Sequence, residues 1–309
     1  MTSASAPGKV ILSGEHAVVY GRPAVALPVA EVQAHARVEP AAMGRGATIL
    51  ASDIQRTVVV AEAGDQEPLA RIVRLALQQM GQELDPDITV IISSTIPIGR
   101  GLGSGAAIST AIVRALAQHY GRWISSRAVS DLVYQAEQIY HGTPSGIDNT
   151  VVAFEKPIFF VKDEGWEVFW VGRPFWLAIA DTGIAGATRE VVGDVRRRYD
   201  AEPDLYSSLF DRIGSISHQV RAAVEQGDLE TLGRLMDENH ALLQQIGVSS
   251  PELDRLVAAA RQGGALGAKL SGAGWGGNAI ALVTEDTRAC VDMMLRLAGA
   301  VNVITTQVL

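Results

Sequence analysis

The chain reads as an α+β fold, with strands gathered in its first half and helices in its second. Short β-rich runs broken by Gly, Pro and Asp occupy residues 9–60. Apolar residues at helical spacing dominate residues 188–261. The C-terminal stretch runs strand, glycine-rich turn, strand, helix, strand.

In order, strand signals fall at Lys9–Leu12, Ala24–Leu27, Val32–Val38 and Thr57–Val60. Pro68 opens a helix whose Leu69, Ile72, Val73, Ala76 and Met80 share one face, and Gly81 ends it. Asp87–Ser93 alternates and then turns apolar, which predicts a buried strand. A glycine-rich loop follows, then a helix carrying Ile108, Ala111, Ile112, Ala115 and Leu116. A second helix carries Leu132, Val133, Ala136, Ile139 and Tyr140 and should stop near His141-Gly142-Thr143-Pro144. Strand patterns return at Asn149–Phe154, Ile158–Val161 and Trp176–Ala180. Three or four helices fill Thr188–Arg261, one announced by Ser249-Ser250-Pro251-Glu252. The close is Ala268–Leu270, a turn over Ser271–Gly277, Asn278–Val283, a helix over Arg288–Leu297, and Val301–Thr305. The compositional change places a domain boundary somewhere in 160–185.

With 309 residues, 48% of them hydrophobic, the chain can bury a large core. Its net charge of −8 and lack of a long Lys/Arg run argue against nucleic acid and anionic membrane as partners. Arg196-Arg197-Arg198 is short and reads as a solvated helix face. The lone cysteine, Cys290, excludes an intrachain disulfide and reads as a small buried thiol. No signal-peptide pattern and no spanning apolar run appear, so the cytoplasm is the expected location. His35, His119, His218 and His240 lack motif context and read as structural or solvated.

The loop is Pro97-Ile98-Gly99-Arg100-Gly101-Leu102-Gly103-Ser104-Gly105, running into Ala106 and Ala107. Alternating glycines between a buried strand and a helix let backbone N–H groups converge on an anion. The helix start adds unpaired N–H groups and a positive dipole end. Ser104 is placed to cap that helix or to reach a metal ion. The pattern matches neither the Walker A loop nor the dinucleotide fingerprint. Alone, it is equally a tight strand-to-helix turn without a ligand.

Three further segments bear on it. In Pro7-Gly8-Lys9-Val10-Ile11-Leu12 a lysine interrupts an apolar strand, either buried with a partner or snorkelling to water. Glu15 and His16 follow in a glycine turn. Glu137 lies near a helix C-terminus, where the dipole opposes its charge and a cation such as Mg²⁺ would compensate. Asp148 follows a Gly-, Pro- and Ser-rich turn and could orient or deprotonate a hydroxyl, although singly each carboxylate is an ordinary surface group. Lys269-Leu270-Ser271-Gly272-Ala273-Gly274-Trp275-Gly276-Gly277 is a second glycine-dense turn, fit to pack on the first loop or on phosphates, or to be a bulged hairpin.

Together these segments resemble the GHMP kinase superfamily. The Pro-Gly-Lys strand, the Pro-x-Gly-x-Gly-Leu-Gly-Ser loop and the Lys-x-Ser-Gly-Ala-Gly-x-Gly-Gly turn occur in the expected order across nearly the whole chain. Within the superfamily the resemblance points to the mevalonate kinases, short archaeal and bacterial branch. It rests on Gly14-Glu15-His16-Ala17-Val18-Val19, on His141-Gly142-x-Pro144-Ser145-Gly146-Ile147-Asp148-Asn149, and on Asp181-Thr182-Gly183-Ile184 with Thr188.

The resemblance implies a two-lobed α+β fold. Residues 1–170 would form a lobe like ribosomal protein S5 domain 2, and 171–309 a ferredoxin-like lobe, with ATP and acceptor meeting in the cleft. It implies transfer of phosphate from ATP to the 5-hydroxyl of mevalonate, with Mg²⁺. Asp148 would be the catalytic aspartate and Lys9 the lysine that stabilises phosphate charge. Glu137 would hold Mg²⁺, with Ser104 as a second ligand. Pro97, Gly99 to Gly105, Ala106 and Ala107 would hold ATP. Glu15, His16 and Thr182 would join Asp148 in the substrate pocket, and Gly272, Gly274 and Gly276 would shape the second turn. Family dimers make a homodimer one assembly it allows. Phosphomevalonate or homoserine kinase, or a non-catalytic metabolite-binding regulator, are the alternatives. One position departs from the family: Gly105 stands where the usual loop has a second serine. Either Ser104 or a water takes that Mg²⁺ position, or metal binding is altered.

Overall fold

The computed structural model describes residues 1–141, 145–186 and 188–309, side chains excepted at 139–141. The expected helix stop at Gly142-Thr143-Pro144 lies outside the described residues. The chain forms two compact units that interleave along the sequence: residues 1–8, 32–97 and 103–155 in the first, and 9–31, 98–102 and 156–309 in the second.

In chain order the strands are β1 (Thr2–Ser13), β2 (Ala24–Pro40), β3 (Thr48–Ala51), β4 (Arg56–Val59) and β5 (Ile88–Ser94), with helix α1 (Pro68–Gln79) before β5. Helices α2 (Ser104–His119), α3 (Ser126–His141) and α4 (Ile147–Phe154) follow, then β6 (Ile158–Val161), β7 (Gly165–Val168) and β8 (Phe175–Asp181). Helices α5 (Thr188–Ala201), α6 (Pro203–Gln226), α7 (Leu229–Ile246) and α8 (Pro251–Gln262) precede β9 (Gly267–Ser271), β10 (Asn278–Val283), α9 (Arg288–Leu297) and β11 (Asn302–Val308).

In the first unit β3 lies between β4, antiparallel, and β5, parallel, and β5 pairs antiparallel with residues 34–40 of β2. Helices α1 to α4 pack on one another, and α2 also packs on β5. Glu67 caps α1 by accepting from Leu69 N, and Pro68 occupies the first turn, where its missing N–H costs nothing.

The β-branched run expected to form a strand at 149–154 is instead helix α4. Gly146, at φ 90°, turns the chain into it. Thr150 Oγ1 donates to the Gly146 carbonyl at 2.7 Å, and Asn149 Nδ2 donates to Ser130 Oγ at 2.8 Å on α3. A valine costs a helix about 0.5 kcal/mol, whereas burying it returns about 1.5 kcal/mol or more. Ile147, Val151 and Val152 are all buried, so packing decides the conformation.

In the second unit β6 pairs antiparallel with residues 24–26 of β2 and with β7. β2 is one strand where two were expected. Pro28 falls between its stretch paired with β6 and its stretch paired with β5, so neither of these ladders loses a bond to the N–H that proline lacks. A four-stranded antiparallel sheet has the order β11-β8-β10-β9, with α7 and α8 packed on β9 and α9 on β8 and β11. Its register sets Asp181, the last residue of β8, opposite Asn278, the first of β10. Ser250 caps α8 from its side chain, as its Ser-Pro-Glu start predicts.

Cys290 is exposed, contrary to the sequence reading. Helix α9 buries Val291 and Leu295, one turn apart, and Cys290 lies about 100° round the helix from Val291. Among the described residues no helix is long and apolar enough to cross a membrane.

Candidate active site

The first unit contributes the start of α2 and two carboxylates. Gly103, at φ 72°, is the N-cap of α2, and no side chain caps this helix. The N–H groups of the first turn, from Ser104 through Ala106, therefore have no helical acceptor and remain open to an anion. Ser104 does not serve as the cap. Glu137, on α3, is buried, and its Oε1 lies 3.9 Å from where a Cβ on Gly105 would stand. The structure thus brings a carboxylate beside the positive end of α2. Asp148 is half-buried on the first turn of α4, in a segment fixed by the bonds of Asn149 and Thr150. Pro97 leads into the loop from this unit.

The second unit contributes the front of the loop and its surroundings. Lys9 is buried on β1, and its backbone N donates to the Leu102 carbonyl at 3.0 Å. Gly99 and Gly101 are exposed, at φ 71° and 78°. Gly186 N donates to the Gly99 carbonyl, and Asn278 Nδ2 donates to the Arg100 carbonyl. Arg100 Nε lies 3.3 Å from Asp181 Oδ2. The second glycine turn packs on the first loop: Ser271 O and Gly272 Cα lie 3.8 and 3.9 Å from a Cβ placed on Gly101. Ser271 Oγ bonds both the N and the O of Ile11, tying that turn to β1.

Glu15 is fully enclosed. One oxygen pairs with the Lys269 ammonium, and the other accepts from Asn239 Nδ2 at 3.0 Å. Burial pulls Lys269 below the ordinary ammonium range, and the charge of Glu15 opposes that pull. Both carboxylate oxygens are committed within the protein, so Glu15 supports the turn that carries His16. His16 has φ 60°, and its Nε2 lies 2.8 Å from the Ala273 carbonyl oxygen. Burial lowers its pKa, with the Ala273 bond and Glu15 acting the other way. A neutral imidazole facing a carbonyl must carry its proton on Nε2, which leaves Nδ1 as an acceptor. Thr182 Oγ1 donates to the Gly277 carbonyl at 2.9 Å and so binds the end of β8 to the second turn.

The sequence reading named Lys269 and Asn149 only as members of longer motifs, and gave no role to these two, to Asn239 or to Asn278. The signal for Lys269 was the one that marked Lys9, a lysine within an apolar strand. The asparagines carry none.

The residues fit a nucleotide. In the first unit the uncapped helix start suits phosphate oxygens, and in the second so do the exposed positive-φ glycines and a buried Arg100 Nη1 without a hydrogen-bond partner among the described residues. They also fit Mg²⁺, a hard cation that takes one or two carboxylates alongside phosphate oxygens, since Glu137 stands next to that helix start.

The model for the GHMP kinases N terminal domain matches residues 69–156, and the model for GHMP kinases C terminal matches residues 220–291. The chain belongs to the GHMP kinase family. Among its relatives, the mevalonate kinase of Pyrococcus horikoshii is 34% identical, across 98% of this chain and 94% of that protein. The crystal structure of L. major mevalonate kinase in complex with R-mevalonate matches with a TM-score of 0.85 at 31% identity, covering 100% of this chain and 96% of that one. A Streptococcus pneumoniae phosphomevalonate kinase matches with a TM-score of 0.86 at 17% identity, covering 100% of both chains. That last likeness shows the fold alone. Fold similarity does not separate these two acceptors.

Proposed function

We propose that the chain is an ATP-dependent kinase that phosphorylates the 5-hydroxyl of mevalonate. The observation that carries this is the Glu137 carboxylate beside the uncapped start of α2, in a chain similar along nearly its full length to mevalonate kinases. Gly99 through Ala107 hold the ATP phosphates through backbone N–H groups, with Pro97 fixing the entry to the loop. Glu137 and Ser104 would hold Mg²⁺, which would supply positive charge to the phosphates. Lys9 offsets charge on the phosphoryl group as it transfers. Asp148 orients the acceptor hydroxyl and takes its proton. Phosphoryl transfer of this kind relies mainly on positioning and charge. His16 Nδ1 accepts from a substrate hydroxyl, and Thr182 and Glu15 hold the backbone around it. The acidic charge and single cysteine support a cytoplasmic enzyme of small-molecule metabolism, and the reading allows a homodimer.

Asp148→Asn tests the mechanism. Loss of a positioned general base lowers kcat by about 10²–10⁴-fold. ATP affinity, measured by calorimetry on the same variant, should stay close to that of the unaltered chain. An Asp148→Asn enzyme with near-normal turnover would remove this residue from the chemistry.

A further inference from the structure

Residues 99–101 of the loop are fastened from behind by the ends of two strands. Asp181 closes β8 and Asn278 opens β10, and the sheet register places them opposite one another. Asn278, 2% exposed, donates Nδ2 to the Arg100 carbonyl. Asp181, 6% exposed, lies 3.3 Å from Arg100 Nε through one oxygen and accepts from Gly183 N at 2.8 Å through the other. Gly186 N holds the neighbouring Gly99 carbonyl at 3.1 Å.

The consequence follows from peptide geometry. In a planar trans peptide the C=O and the next N–H point in opposite directions. Pinning the Gly99 carbonyl onto Gly186 turns the Arg100 N–H away from the strand ends. Pinning the Arg100 carbonyl onto Asn278 likewise turns the Gly101 N–H away from Asn278. Exposed glycines at positive φ would otherwise let these peptides flip at little cost. The Arg100–Asp181 pair adds a second hold on the intervening residue.

We infer that Asn278 and Asp181 are positioning residues for the nucleotide, acting through Arg100. They fix two loop peptides so that their N–H groups face the phosphate chain of a nucleoside triphosphate, without touching the reacting atoms themselves. This inference rests on the kinase reading above and assigns the paired ends of β8 and β10 a share in ATP affinity.

The test is ATP titration by calorimetry with Mg²⁺ on the full chain, alongside steady-state kinetics for both substrates. The variants are Asn278→Ala, Asn278→Asp, Arg100→Ala and Arg100→Lys. Misplaced donors should weaken ATP binding about tenfold in Asn278→Ala and Arg100→Ala, and more in Asn278→Asp, where a carboxylate faces a carbonyl. KM for ATP should rise with it and KM for mevalonate should not. Arg100→Lys keeps a cation for Asp181 and should recover most of the loss. If Asn278→Ala fails to fold, Asp181→Asn, which removes the charge facing Arg100 and leaves the Arg100 side chain in place, still decides the matter, with a loss of ATP affinity expected and unchanged affinity overturning the inference. Unchanged ATP affinity in the folded variants, or equal rises in both KM values with a lower melting temperature, would overturn the inference. An unaltered chain that binds no ATP at all would instead bring down the kinase reading itself, and this inference with it.

Discussion

The two glycine-rich turns differ in what a side chain would meet. A Cβ at Gly99 would find nothing within 4 Å among the described residues, whereas one at Gly274 would stand 2.0 Å from the Val248 carbonyl oxygen. The first turn uses glycine to leave backbone donors exposed. The second uses it so that two backbones can touch: Trp275 N donates to that same Val248 carbonyl, and Trp275 Nε1 donates to Gly247 O. One turn is open to solvent, and the other is a packed brace. Identical residue types therefore serve opposite ends, and only their surroundings separate the two.

Alanine at each position would break or sharpen this contrast. Gly274→Ala meets backbone at a φ of 92° and has nowhere to move, so it should cost about 3 kcal/mol or more in urea unfolding. Gly99→Ala meets open space and carries only the cost of positive φ, about 1 kcal/mol, with its main effect on ATP affinity. Equal destabilisation by the two would abolish the distinction.

The brace also depends on buried polar groups. His240 Nδ1 accepts from Leu270 N, at 3.3 Å, just before the second turn, and its Nε2 lies 3.2 Å from Asp254 Oδ1. Its pKa is lowered to about 4, chiefly by burial, with Lys269 and Arg261 adding to the shift and Asp254 opposing it. The unfolded chain takes up this proton first, since its histidine keeps an ordinary value of 6.5. Stability from this group is complete above pH 6.5 and is lost as pH falls towards 4, by about 3 kcal/mol at most. Chemical unfolding of His240→Gln across that range should show a flatter pH dependence than the unaltered chain.

Much of this was legible in the sequence, for specific reasons. Helical spacing marked α1, α2 and α3, and the Arg288–Leu297 helix was read with the bounds it has. The short strands β3 and β7 were not read, whereas β4 and β6, equally short, were. α4 was misread because Thr150, Val151 and Val152 favour strands locally while the helices around them supply the deciding burial. The interleaving of two units has no local signal, since it arises from strands β1 and β2 passing through both. The loop stood out by its glycine spacing, whereas Lys9, Glu137, Asp148 and Glu15 took on roles only through the family resemblance. The enclosure of Glu15 by Lys269 and Asn239 is a tertiary fact. Asn278 looked like any residue after a glycine turn, because its role depends on register with Asp181.

The smallest expected effect concerns Gly105. Its backbone is not in the left-handed region, and among the described residues a Cβ there would meet only Glu137 Oε1, at 3.9 Å. Gly105→Ser therefore fits without strain and sets a hydroxyl beside the carboxylate. It should lower the Mg²⁺ concentration for half-maximal activity by about threefold, as one added ligand among several would, with stability unchanged or slightly raised. A higher Mg²⁺ requirement in Gly105→Ser would show that the open turn is arranged differently around its metal.

The central claim is the acceptor. ADP release from ATP and Mg²⁺ should be followed with mevalonate, phosphomevalonate, homoserine and galactose supplied separately at equal concentration. The account predicts turnover with mevalonate and product phosphorylated at the 5-hydroxyl, with the other three at background. Turnover on one of the others but not on mevalonate would contradict the substrate assignment, and ATP binding without turnover on any of them would contradict the assignment as an enzyme.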